Sequence, residues 1–157
     1  FNKAIKNLFI VLFSTLLISA CSTAKKANVD TANDVYTGTD TVEFLAKGVP
    51  DRIFFATNKS SLTTASRDTL RKQATWMRKN KNVTVTVEGH ADERGTREYN
   101  LALGERRANA AKDYLMTYGV SGKRISVISY GKERPVNPAS SPLAWSQNRR
   151  SVTVKAN

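Results

Sequence analysis

Residues 83–115 read VTVTVEGHADERGTREYNLALGERRANAAKDYL, and two periodicities meet inside them. From Val83 to Glu88 the chain alternates without a break, with Val83, Val85 and Val87 on one side and Thr84, Thr86 and Glu88 on the other. A period of two marks a strand with one covered face and one wetter face. From about Arg97 to Tyr118 the period becomes that of a helix, with Leu101, Gly104, Ala108, Ala111, Leu115 and Tyr118 on one stripe and Gly119 as a C-terminal stop. Between them lies a polar loop, Gly89 to Gly95, which presents His90, Asp92, Glu93 and Arg94 at the C-terminal end of the strand.

Working outward, Arg52-Ile53-Phe54-Phe55 is a short apolar strand candidate, and Asn58 to Ser61 is turn-like. Thr63 or Thr64 can cap a helix running to about Lys79, with Leu70, Ala74 and Met77 on its inner face. Ile125 to Tyr130 reads as a further strand. Residues 131–148 hold Pro135, Pro138 and Pro142 and read as a long loop, and Ser151 to Lys155 alternates as a last strand. Strands alternating with helices, then a loop and a strand, predict an α+β fold of order β-α-β-α-β-β. The sheet is mixed, the last strand pairs antiparallel and the helices pack on one face.

The chain begins differently. Lys3 and Lys6 precede an apolar run, Leu8 to Ala20, which ends at Cys21. Positive, apolar, then small residues is the order of a secretory signal, and the run is shorter than the ~20 residues a membrane span needs. The junction Leu17-Ile18-Ser19-Ala20-Cys21 resembles a bacterial lipobox, with Ile18 where Leu is commonest. Cys21 is the only cysteine, so an intramolecular disulfide is impossible and lipidation is the expectation. The alternative is a plain cleaved signal, or an uncleaved anchor, with an incidental cysteine. Residues 21–48 have the composition of a lipidated N-terminus and flexible tether, and about 27 such residues have a root-mean-square reach of roughly 30 Å. Residues 49–157 then form one domain.

Without the signal's two lysines, 23 Lys+Arg remain against 13 Asp+Glu, a formal charge of +10. Such a surplus suits an anionic partner. A basic nucleic-acid-binding module is one such reading, but it needs a cytoplasmic location, which the signal opposes. An envelope polymer or lipid headgroups fit better.

Nothing points to catalysis. One histidine excludes a histidine-cluster metal site, the one cysteine stands at the signal boundary, and no serine sits in a nucleophile elbow. Asp92 and Glu93 are adjacent but have no supporting acid–base arrangement. No cofactor, metal or catalytic residue is expected. His90 reads as a loop-packing or hydrogen-bonding residue. Asp92 precedes the long helix and Arg107 lies on it, so the two can meet at one pocket. A carboxylate with a guanidinium complements a zwitterion, the first for an ammonium and the second for a carboxylate. An ordinary salt bridge or capping aspartate is the alternative. Arg149 and Arg150 read equally as contacts to an anionic polymer or as charges at a strand entrance, and Trp76 and Trp145 read as packing residues.

The run Gly89-His90-Ala91-Asp92-Glu93-Arg94-Gly95-Thr96, with Glu98-Tyr99-Asn100 and Leu103 to Asn109, resembles the OmpA-like peptidoglycan-binding domain family. Ser129 to Glu133 and Asn148-Arg149-Arg150 extend the likeness over about residues 50–155, beside the upstream lipobox. The resemblance implies non-covalent binding to the diaminopimelate of the peptidoglycan stem peptide. It places the key aspartate at Asp92 and the key arginine at Arg107, with Thr57 and Asn58 in the first loop and Leu103 on the second pocket helix. In that loop the family usually carries acids in a Phe-Asp-Phe-Asp-Lys-like run, whereas this chain reads Phe55-Ala56-Thr57-Asn58-Lys59. Asn58 keeps hydrogen-bonding capacity without charge. The resemblance also implies an outer-membrane lipoprotein facing the periplasm, since Ser22 replaces the aspartate of inner-membrane retention. It implies partners in the Tol–Pal system, with TolB competing for the same face, or else a wall-binding lipoprotein outside that system.

Overall fold

The computed structural model describes residues 29–30 and 32–157. The expected signal at residues 1–20, the expected lipidation of Cys21 and the sorting residue Ser22 lie outside the described residues. Among the described residues, no helix is long and apolar enough to cross a membrane.

The first described segment departs from the flexible tether that its composition predicts. Strands β1 (Val29–Asp30) and β2 (Val35–Tyr36) form one antiparallel hairpin, and β3 (Phe44–Ala46) and β4 (Val49–Pro50) form a second. The cause is packing rather than propensity. Tyr36 is buried edge-on against Phe54, ring centroids 4.8 Å apart, in a small cluster with Val35 and Val42. A single tyrosine creates no period, so a sequence pattern cannot announce it.

From there the chain follows the expected order. Strand β5 (Arg52–Phe54) leads to α1 (Thr64–Lys79), capped by the Thr63 hydroxyl on the Ser66 amide. Strand β6 (Val85–His90) leads to α2 (Arg97–Thr117), capped by Thr96 on the Tyr99 amide. A 3-10 turn (Gly122–Arg124) enters β7 (Ile125–Gly131), and β8 (Arg150–Lys155) ends the sheet. The long loop expected over residues 131–148 contains a helix, α3 (Pro142–Asn148). Ser141 caps it through the Ala144 amide and Pro142 opens its first turn, where a missing N–H costs nothing.

The sheet order is β5-β8-β6-β7. Strands β6 and β7 run parallel, and β8 runs antiparallel to both its neighbours, so the fold is a mixed α+β sandwich of one sheet and its helices. The core lies between sheet and helices: Ile53, Phe55, Val85, Val87 and Ile125 meet Leu70, Ala74, Met77, Ala108, Ala111 and Leu115. Helix α2 crosses β6 at close backbone approach. A Cβ on Gly89 would overlap the Gly104 carbonyl, and a Cβ on Gly104 would overlap Ser129 Oγ. Two glycines therefore set how deeply α2 sits, and with it the height of Arg107 above the C-terminal end of β6.

Candidate functional site

At that end three segments converge: the turn after β5, the loop after β6 and the N-terminus of β8. The first turn is closed by the Lys59 amide on the Ala56 carbonyl, with Asn58 in a left-handed conformation at φ 56°. Asparagine tolerates that conformation better than most residues. Asn58 is exposed, and its position is accounted for by the turn alone.

Arg107 stands beneath this turn and is wholly buried. Its Nε donates to the Lys59 carbonyl at 2.8 Å, Nη1 to the His90 carbonyl at 2.8 Å and Nη2 to the Ala56 carbonyl at 3.1 Å. Its guanidinium carbon lies 5.2 Å from the centre of the Phe55 ring. One planar side chain thus ties the first turn to the end of β6, and a guanidinium has two further N–H groups to give. Burial, and after it Arg149's positive charge, bring its pKa down to about 9, with Asp92 working in the opposite direction.

Asp92 is nearly buried and carries several donors. Arg94 donates from its backbone amide at 3.0 Å, from Nε at 3.1 Å and from Nη2 at 2.7 Å, and Arg149 donates from Nη1 at 3.2 Å. Burial opposes its charge, but the hydrogen bonds from Arg94 and Arg149 outweigh it, so the carboxyl titrates below its ordinary value. The structure therefore brings Asp92 and Arg107 to one loop cluster without pairing them directly. Asp92 is partnered by Arg94 and Arg149, and Arg107 by backbone carbonyls.

Arg149 is a strong addition to the expected set. It is almost wholly buried, its Nε donates to the Phe55 carbonyl at 3.0 Å, and it also meets Asp34 of the first hairpin. Thr57 lies at the same place and accepts from Arg94 Nη2 at 3.2 Å. Leu103 is buried on α2, one turn before Arg107. Trp145, expected to pack rather than to stack on a sugar, closes the rim: Arg94 lies 4.2 Å from its ring centre, and its indole N–H donates to Glu93 at 2.7 Å. Ser140 also donates to Glu93, and these two bonds hold the Glu93 carboxyl below its usual range. Neither Asp34 nor Trp145 could be placed here from sequence, because each reaches the cluster by an unpredicted element.

His90 lies away from this rim. Its ring is buried beside Tyr130 at 5.6 Å between centroids, and Glu88 is 3.4 Å from Nε2. Burial, aided by the charges of Arg150, Arg52 and Arg134, pushes its pKa down to about 3, so it is a neutral packing residue whose backbone carbonyl serves Arg107.

Together these features gather buried charged side chains at a loop cluster on an α+β scaffold. The OmpA family matches residues 54–149, and the chain belongs to it. Relatives along nearly the whole chain carry a single name. The peptidoglycan-associated lipoprotein of Rhizobium meliloti strain 1021 is 48% identical over 149 residues, 92% of this chain and 85% of the relative. That of Mesorhizobium japonicum is 45% identical over 151 residues, 92% of this chain and 89% of the relative. Among solved structures, the peptidoglycan-associated lipoprotein of Burkholderia pseudomallei superposes with a TM-score of 0.65 at 33% identity, covering 67% of this chain and 89% of that one. The C-terminal domain of Helicobacter pylori MotB, at 23% identity and a TM-score of 0.64, covers 68% of this chain and 84% of its own and shares the fold.

Proposed function

We propose that this chain is an outer-membrane lipoprotein that binds peptidoglycan non-covalently, without catalysis, through the diaminopimelate of the stem peptide. One observation carries the reading. Arg94 and Arg149 hold the ionised carboxylate of Asp92 in a loop cluster that also contains the buried guanidinium of Arg107. Burial first, and then the positive charge of Arg149, lower the pKa of Arg107, so its charge is under-compensated there. A ligand carboxylate is therefore welcome there, while Asp92 is the acceptor for the ligand's ammonium. The free amino-acid centre of diaminopimelate offers both groups on one carbon. Thr57 and the Asn58 turn form one wall, and Leu103 holds the helix carrying Arg107. Lipidation at Cys21 would anchor the chain in the outer membrane, facing the periplasm. The relatives' shared name supports the wall and lipid parts of this reading.

The test is sedimentation with purified cell wall. Asp92→Asn removes the charge, keeps the shape, and should weaken binding by roughly 30-fold or more, the usual cost of removing one partner from a buried charged contact. A soluble stem peptide containing diaminopimelate should bind, and its lysine equivalent, which lacks the second carboxylate, should bind far more weakly. Equal affinity for the two peptides would end this assignment. Participation in the Tol–Pal system and in cell division is the finer part of the proposal. TolB recovered with the protein from detergent extracts supports it, and its absence favours a wall-binding lipoprotein outside that system.

A further inference from the structure

The chain supplies an anion of its own to this cluster. Asp34 lies in the turn between β1 and β2, at φ 56°. Its carboxylate is 3.1 Å from Arg149 Nη2 and accepts the Thr57 hydroxyl, and its backbone carbonyl accepts Arg149 Nη2 at 2.5 Å. The Arg149 side chain is 1% exposed and that of Asp34 is 48% exposed. A fixed, buried guanidinium thus faces a carboxylate presented from outside by a hairpin of two-residue strands.

We propose that Asp34 occupies, in the free chain, the carboxylate subsite formed by Arg149 and Thr57, and that a carboxylate of the wall peptide displaces it on binding. This rests on the wall-binding reading above. Asp34 can leave without dissolving its hairpin. The turn is held separately by Asp30, whose carboxylate accepts the Ala32 amide at 3.0 Å and the Asn33 side chain at 2.9 Å. Tyr36 anchors the returning strand on Phe54 whether or not Asp34 is seated. An internal carboxylate that leaves easily adds to the Asp92 carboxylate in compensating Arg149 when the wall is absent. It also selects for ligands whose own carboxylate is better placed than that of Asp34. An uncharged wall group at that position, such as an amidated carboxylate, could not displace it.

Asp34→Asn in the full chain isolates this effect, since asparagine keeps the left-handed turn and loses the charge. A soluble stem peptide containing diaminopimelate, titrated calorimetrically, should bind the variant roughly two- to fivefold more tightly than the unsubstituted chain, the range of a partly exposed ion pair. In the unsubstituted chain, saturating peptide should shift the carbon NMR resonance of the Asp34 side-chain carboxyl, while the Asn33 and Asp34 amides, which donate to the Asp30 carbonyl, keep their exchange rates. Equal or weaker binding by the variant, or an unmoved Asp34 carboxyl resonance, overturns the competition. Failure of the unsubstituted chain to bind the peptide at all is a different result: it overturns the wall-binding reading and takes the competition with it.

Discussion

Arg107 illustrates how one buried residue can tie two segments of a fold together. Its three bonds go to backbone carbonyls of two segments, the turn after β5 and the end of β6. Arg107→Ala would leave three inward carbonyls without that partner, so it should lower unfolding free energy by about 3 kcal/mol or more, read from urea melts. Arg107→Lys should recover only part of this, because a compact ammonium cannot fan out to three acceptors. A near-native urea midpoint for the alanine variant would mean that the turn holds itself. His90 sets a second expectation, for pH. The unfolded chain protonates this imidazole near 6.5 and the fold only near 3, so the unfolded state binds the extra proton between those values. Stability is then level above about pH 6.5 and falls as pH drops through the window, by up to about 1.4 kcal/mol per unit. Between pH 7.5 and 5 the loss should approach about 2 kcal/mol, and His90→Asn should remove most of it. An identical acid slope in the variant would assign the loss to other groups.

At the scale of elements, the crossing of α2 over β6 decides whether the site exists. Gly89→Ala would push a methyl into the Gly104 backbone, where no side chain can rotate away. It should cost about 1–3 kcal/mol, and wall binding should weaken with it because Arg107 rides on the displaced helix. A variant that melts and binds like the unsubstituted chain would show that the helix can lift freely. What was legible in the sequence divides along the same line. The valine alternation, the stripe of α2 and the inner face of α1 announced their elements because each repeats a periodic burial pattern. Helix α3 was hidden by three nearby prolines, although Ser141-Pro142 is a helix-opening pair. The insertion of β8 between β5 and β6 was equally hidden, since strand order depends on long-range pairing rather than local pattern. In the site, Asp92, Thr57 and Arg107 were marked by family likeness. Arg149 was ambiguous because its burial comes from the first hairpin and the β5 turn, neither of which its neighbours in sequence reveal.

For the whole molecule, the surplus of positive charge is spread unevenly between interior and surface. Arg107, Arg149 and Arg150 are buried, each held by backbone carbonyls, and contribute to architecture before they contribute to any external field. The exposed face of α1, with Arg67, Arg71, Lys72, Arg78 and Lys79, carries much of the visible charge. The first hairpin has a consequence for distance. Were residues 21–48 all free, the link from Cys21 to the domain could extend to roughly 95 Å; with β1 docked, only about eight residues separate Cys21 from the body, at most roughly 28 Å. For a chain held by lipid at Cys21, the docked hairpin is a shortened leash that keeps the domain close beneath its membrane, and each residue peeled from it would let the wall stand farther away without letting go.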